Sequence, residues 1–170
     1  LKLTSSELKK LLIVGPLGYG VTALTLYMSY DYISSGVATT LHFGYPVLVI
    51  LTFVIFFKER AGGIKLAAVA LTAIGIMLLN EPGANLDIRG VTLALASAAA
   101  YAFYIVFLDR SGLKRMYPLK LTLYLCITAG AIILVFGMVT GALDFTMTLK
   151  GWLVTVLLSM SVAVFGVSLF

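Results

Sequence analysis

Charge is scarce in this sequence. Asp, Glu, Lys and Arg make up 11% of its 170 residues, while 61% are hydrophobic and the mean hydropathy is +1.10. An ordinary soluble domain is about 25% charged and about 45–50% apolar. A soluble chain of this size could not hide so much apolar surface in one core. A bilayer removes the difficulty, because apolar side chains can face lipid. Cysteine is nearly missing too: Cys126 stands alone inside an apolar stretch. It cannot form an internal disulfide, so no disulfide framework or dithiol chemistry is available. The one histidine, His42, has no second His or Cys at ligand spacing, which makes it a poor metal candidate. There is no G-x-x-x-x-G-K-[ST] loop for ATP and no Gly-x-Ser-x-Gly element for a serine nucleophile. Residues Leu1 to Lys10 are polar and charged and do not form the short apolar core of a cleavable signal. No cofactor and no enzymatic activity are expected.

What is present is a series of long apolar runs. Crossing a bilayer takes about 20 mostly apolar residues. Six stretches meet or approach that length: Leu11–Tyr30, Tyr32–Phe57, Ile64–Asn80, Gly90–Leu108, Leu121–Leu143 and Gly151–Phe170. Each is too long for a typical buried strand. The expectation is an all-α, polytopic bundle of six membrane spans. The Pro- and Gly-bearing turn Asn80-Glu81-Pro82-Gly83-Ala84-Asn85 blocks helix continuation and is the natural boundary between two halves. Leu rather than Met stands first, and the last run reaches Phe170 without a polar flank. The sequence therefore reads as a piece of a longer chain.

Placed on alternate sides of the six spans, the Lys and Arg residues divide ten against two, with only Arg89 and Lys150 on the minor side. The acids divide almost evenly. Short loops rich in Lys and Arg stay cytoplasmic, so the N-terminal end is expected in the cytoplasm of a cell with an inner or plasma membrane. The same division answers the net charge of +5, which would otherwise suggest nucleic acid. The basic residues form a fringe at helix ends, beside lipid headgroups, and not a groove for a polyanion. The expected partners are the lipid bilayer and a small-molecule substrate, with no nucleic acid; pairing of two copies into a homodimer is left open.

The chemically richest stretch is Thr39-Thr40-Leu41-His42-Phe43-Gly44-Tyr45-Pro46, within the second span. Pro46 has no amide hydrogen to give the carbonyl of His42, and Gly44 eases the bend. A kinked helix is expected there, with an imidazole at the same turn. Interrupted helices at mid-depth are where transporters place substrate, and an ionisable group inside a membrane is a functional candidate by default. The bland alternative is that His42 bonds a neighbouring helix and Pro46 only shapes packing. In the fourth span Ser97, Tyr101 and Tyr104 share one face, in a setting of alanines that let helices approach closely. In the first span Tyr19 and Thr22 share a face. They either look into a cavity or, on the bland reading, Thr22 back-bonds to its own helix and Tyr19 packs. The expected substrate-binding set is therefore His42, Tyr45, Thr39, Tyr101, Ser97, Tyr19 and Thr22, with Pro46 and Gly44 making the kink. Gly15, Pro16 and Gly18 are expected to bend and pack the first helix. Gly137 and Gly141 form a G-x-x-x-G of the kind that brings helices together. Five of the six spans carry no Asp, Glu, Lys or Arg.

The order of features from Tyr27 to Leu79 resembles the EamA-type transporters of the drug/metabolite transporter superfamily. The stretch Ser34-Ser35-Gly36-Val37-Ala38-Thr39-Thr40 leads to Tyr45-Pro46-Val47. An apolar run then ends in Lys58-Glu59-Arg60, and a helix with Ala68, Gly75 and Ile76-Met77-Leu78-Leu79 follows. After the turn, Asp87-Ile88-Arg89-Gly90 and the run Ala94 to Tyr104 are similar to the start of that family's second repeat. The resemblance implies that residues 11–80 hold the last three helices of one five-helix repeat, that 81–89 connect, and that 90–170 hold the first three helices of an inverted second repeat. These would be the third to eighth helices of ten. It also implies a permease that exports or exchanges metabolites, amino acids or drugs by alternating access. Glu59 matches the family's acid after the proline helix, which implies a structural role at the cytoplasmic gate. The assignment of His42 comes from its chemistry and not from the resemblance. Two rivals remain: a non-transporting membrane scaffold or partner subunit, and an intramembrane serine protease that would use Ser159 or Ser161.

Overall fold

The computed structural model describes residues 3–59, 62–78, 87–143 and 145–168, and every described regular element is helical. Six helical segments follow one another: α1 (Ser5–Ser29), α2 (Ser35–Phe57), α3 (Gly63–Leu78), α4 (Ile88–Ser111), α5 (Pro118–Thr140) and α6 (Leu149–Ser168). Helices α1, α2, α4 and α5 are each long and apolar enough to cross a membrane, α6 is a shorter apolar helix over Leu149–Ser161, and α3 has 16 residues. The expected all-α, multi-span bundle is therefore what the chain forms. The turn expected at residues 80–85 lies outside the described residues, and the 81–89 connector is described only from Asp87 onward.

Helix boundaries follow capping rather than hydropathy. α1 begins at Ser5 and not at Leu11, because Glu7 reaches back to accept the Thr4 amide at 2.9 Å and so fixes the first turn. α2 begins at Ser35, where Ser34 caps the helix by accepting from the Val37 amide. α4 begins under Asp87, whose carboxylate accepts the Arg89 amide at 2.8 Å, and ends on Gly112 at φ 80°.

α4 is the axis of the bundle. α1 lies along it, both halves of α2 cross it, and α5 closes on α1; α3 and α6 pack at the periphery, against α2 and α5. The buried face of α4 is made of Ala94, Ser97, Ala98 and Ala102. Between helices in lipid there is little hydrophobic drive, since lipid tails are as apolar as leucine. Close backbone approach and hydrogen bonding do the work instead. At one end of α4, Ala94 packs with Ile33, Val37 and Ala38; at the other, Leu11, Val14, Leu113 and Leu125 form a second buried cluster. The second end also gathers the charges. Lys10 donates to the Ser111 carbonyl at 2.6 Å, Lys120 lies 3.6 Å from Glu7, and Arg110 pairs with Glu59. The starts of α1 and α5 thus meet the ends of α2 and α4, the side to which the sorting of Lys and Arg assigns them.

α1 is not a uniform α-helix. Residues Val14–Gly20 are wound more widely, as a π-helical segment. Pro16 explains it: its ring would collide with the carbonyl of Leu12 in a regular helix, and the wider turn relieves that. The glycines there supply close approach. A Cβ on Gly18 would stand 2.9 Å from Cβ of Tyr104 on α4, and one on Gly15 would overlap the Thr128 hydroxyl on α5. Gly15→Ala should therefore pry α1 from α5 at a cost of about 1–3 kcal/mol. Thermal unfolding in detergent checks this against Gly36→Ala, whose new methyl meets nothing within 4 Å and should leave the midpoint unchanged or raised.

One expectation is corrected. Gly137 and Gly141 do not form a helix-contact pair among the described residues. Gly141 is the left-handed cap of α5 at φ 68°, its amide returning to the Gly137 carbonyl, and Gly137 is covered by Leu143 from the loop that follows. The spacing of four arises from terminating a helix, not from docking one.

Candidate functional site

α2 is broken. Its first half runs Ser35–His42 and its second Tyr45–Phe57, with Phe43 and Gly44 between them in a turn. Pro46 sits in the first turn of the second half, where its missing amide hydrogen costs nothing. The Gly44 amide bonds the Leu41 carbonyl at 3.0 Å, tightening the last turn of the first half. At 1.5 Å per residue the break falls roughly 13 Å along a helix about 35 Å long, well inside the apolar slab. Proline chemistry thus places His42 at the end of a half-helix, facing α4.

Four of the expected residues meet there. His42 Nδ1 lies 2.9 Å from Ser97 Oγ on α4. The imidazole stands 5.5 Å from the Tyr101 ring and 5.7 Å from the Tyr45 ring, and Tyr45 meets Tyr101 edge-on at 4.6 Å. Such separations suit aromatic pairs that contribute about 0.5–1.5 kcal/mol each beyond burial. Tyr104 stacks on Tyr101 at 5.4 Å, and Tyr19 from α1 lies 5.8 Å from Tyr104. A continuous strip of aromatic rings therefore runs from the break in α2, along one face of α4, to α1. Tyr104 belongs to this strip although its place in the chain also suited an interfacial anchor. Its spacing of three from Tyr101 was the signal. Cys126 on α5 is exposed.

The other expected residues stand apart from the strip. Thr22 is buried in the α1–α4 seam and donates to the Gly18 carbonyl at 2.6 Å, with the Ser97 carbonyl at 3.5 Å. Thr39 donates to the Ser35 carbonyl at 2.6 Å and has the Tyr30 hydroxyl at 3.4 Å. Both hydroxyls satisfy their own helix first, the usual fate of threonine in an apolar helix.

The arrangement suits binding and not covalent catalysis. Ser97 is the serine that His42 touches, but it is fully buried and gives its proton to the Ala94 carbonyl at 2.6 Å, not to the imidazole. An activated nucleophile needs the reverse. Ser161 likewise donates to Leu158 of its own helix. Among the described residues no group of three His, Cys, Asp or Glu side chains is placed to hold a metal ion.

Residues 1–81 match the EamA-like transporter family. The chain is 31% identical over 116 residues to an uncharacterized transporter of Archaeoglobus fulgidus, covering 68% of this chain and 41% of that protein. It is 32% identical over 101 residues to one of Synechocystis, covering 57% of this chain and 30% of that one. With one of Clostridium kluyveri it shares 26% over 113 residues, or 62% of this chain and 36% of the relative. The matched stretch thus spans less than half the length of each of these relatives. No solved structure matches the chain.

Proposed function

Through its first 81 residues the chain belongs to the EamA-like transporter family, and on that premise we propose that it forms the central part of a secondary transporter. The carrier moves a small organic solute, a metabolite, amino acid or drug, across the cell membrane by alternating access. The observation that carries this reading is the junction of His42 and Tyr45, at the break of α2, with Ser97 and Tyr101 of α4. α2 lies before the connector and α4 after it, so the site sits where two five-helix repeats would meet. Repeat interfaces with broken helices are where secondary transporters bind substrate. The end of the family match at residue 81 supports placing the repeat boundary at the connector. The third-to-eighth-helix reading follows from the same placement. The ten-to-two division of basic residues supports a cytoplasmic N-terminal end.

A thiol placed in the strip tests the reading directly: Tyr104→Cys, with Cys126→Ser removing the one cysteine of this sequence. If the strip lines a solute path, water reaches it, and a small charged methanethiosulfonate should modify the Tyr104→Cys, Cys126→Ser variant of the full-length protein in membranes. A thiol facing lipid is shielded from such a reagent. Failure to react after prolonged exposure from both sides of the membrane would place the strip outside any aqueous path and remove it as the transport site.

A further inference from the structure

Ser97 has one hydroxyl proton, and a fully buried bond of 2.6 Å commits it to the Ala94 carbonyl three residues back. This is the ordinary choice of a serine inside a helix. The oxygen that faces His42 Nδ1 at 2.9 Å is then an acceptor, so Nδ1 carries the ring proton. A neutral imidazole has only one such proton. Nε2 is therefore a bare lone pair, and it makes no hydrogen bond to any described residue.

Resting on the site reading above, we propose that Ser97 is a positioning residue that locks His42 in the Nδ1–H tautomer. The site thereby selects solutes carrying an N–H donor, an ammonium group in particular, and disfavours carboxylate ends. The surroundings act in the same direction. The rings of Tyr45 and Tyr101 stand 5.7 and 5.5 Å from the imidazole. Aromatic faces carry partial negative charge and attract a cation within about 6 Å of the centroid. No Lys or Arg occurs in residues 32–57 or 90–108, so these two segments supply no fixed positive charge for a carboxylate. The tyrosine hydroxyls serve donors and acceptors alike and so do not discriminate; the tautomer of His42 does. An ammonium gains a charge-assisted hydrogen bond at Nε2, whereas a carboxylate meets lone pair against lone pair.

The test is nitrogen NMR on the full-length protein with isotopically labelled histidine, in lipid nanodiscs at mildly alkaline pH. The imidazole is then neutral and benzylamine still protonated, and His42→Gln identifies the signal. The expected result is a protonated Nδ1 and an unprotonated Nε2. The Nε2 resonance should move with benzylammonium chloride and stay in place with sodium benzoate. Ser97→Ala, which removes one oxygen and adds no bulk, should let the ring pass to the Nε2–H form and abolish the response to benzylammonium. A wild-type ring protonated at Nε2, equal responses to the two probes, or a tautomer unchanged in Ser97→Ala would each overturn the proposal. These outcomes separate from failure of the site reading. Transport lost in His42→Ala alongside an Nε2–H ring leaves the site standing and overturns only the tautomer. Transport retained in His42→Ala removes the site whatever the ring's protonation.

Discussion

Replacing His42 with alanine should lower transport by the full-length protein about tenfold to a hundredfold while leaving it folded. A hydrogen bond in a shielded site contributes about 1–3 kcal/mol when its loss strands the partner. Each 1.4 kcal/mol is about a factor of ten in rate or affinity. On the proposed reading His42 supplies Nε2 to the solute, and its ring also packs beside Tyr45 and Tyr101. Folding should survive, because Ser97 keeps its bond to the Ala94 carbonyl and loses only a second contact. Tyr101→Phe is the companion variant. It keeps the ring that stacks on Tyr104 and meets Tyr45, and removes only a hydroxyl, so its effect should be smaller, about fivefold. Uptake or efflux by membrane vesicles, paired with thermal unfolding in detergent, separates a functional loss from a folding one. Undiminished transport in both variants would remove this site from the solute path and leave these residues to packing alone.

Much of the fold was legible because lipid imposes a simple rule: backbone groups must bond within a helix, so long apolar runs become helices. The break at Gly44 was legible for a local reason, since proline removes a bond from a known carbonyl. The one-faced set Ser97, Tyr101 and Tyr104 was legible from helical spacing. The misses share a cause as well. Helix α1 extends back to Ser5 because Glu7 caps it, and capping is invisible to hydropathy. Gly141 looked like half of a contact motif, yet a glycine needed for a left-handed cap and one needed for close approach look the same in a sequence. Thr22 and Tyr19 share a helical face in the sequence. Only packing shows that one sits in the α1–α4 seam while the other ends the aromatic strip. The bond between His42 and Ser97 joins residues 55 apart, and no periodicity within either helix foretells it.

Arg110→Ala should open the charged end of the bundle, and more so than Glu59→Gln. α2 ends on Lys58 in a left-handed turn, φ 54°, which folds the next residue back so that the Glu59 amide bonds the Phe53 carbonyl at 3.1 Å. That turn carries the Glu59 carboxylate to the Arg110 guanidinium at the end of α4. The guanidinium also lies over two rings of α2, 4.0 Å from the centre of Phe57 and 5.0 Å from that of Phe53. The ion pair is about two-fifths exposed on each side, so water and salt screen it and it contributes about 0–1 kcal/mol. Each ring contact adds about 0.5–1 kcal/mol at such a site. The stack therefore outweighs the charge, and the whole latch is of order 1–3 kcal/mol. For a carrier that must part α2 from α4 at this end, losing the latch shifts the closed-to-open ratio about tenfold or somewhat more. Arg110→Lys should fall between, since it keeps the charge but loses the flat group that lies on the rings. Spin-label distances between the ends of α2 and α4 in the full-length protein read the ratio directly. Equal populations in Arg110→Ala and the parent, or an effect of Glu59→Gln as large as that of Arg110→Ala, would show that the aromatic stack does not hold this end closed.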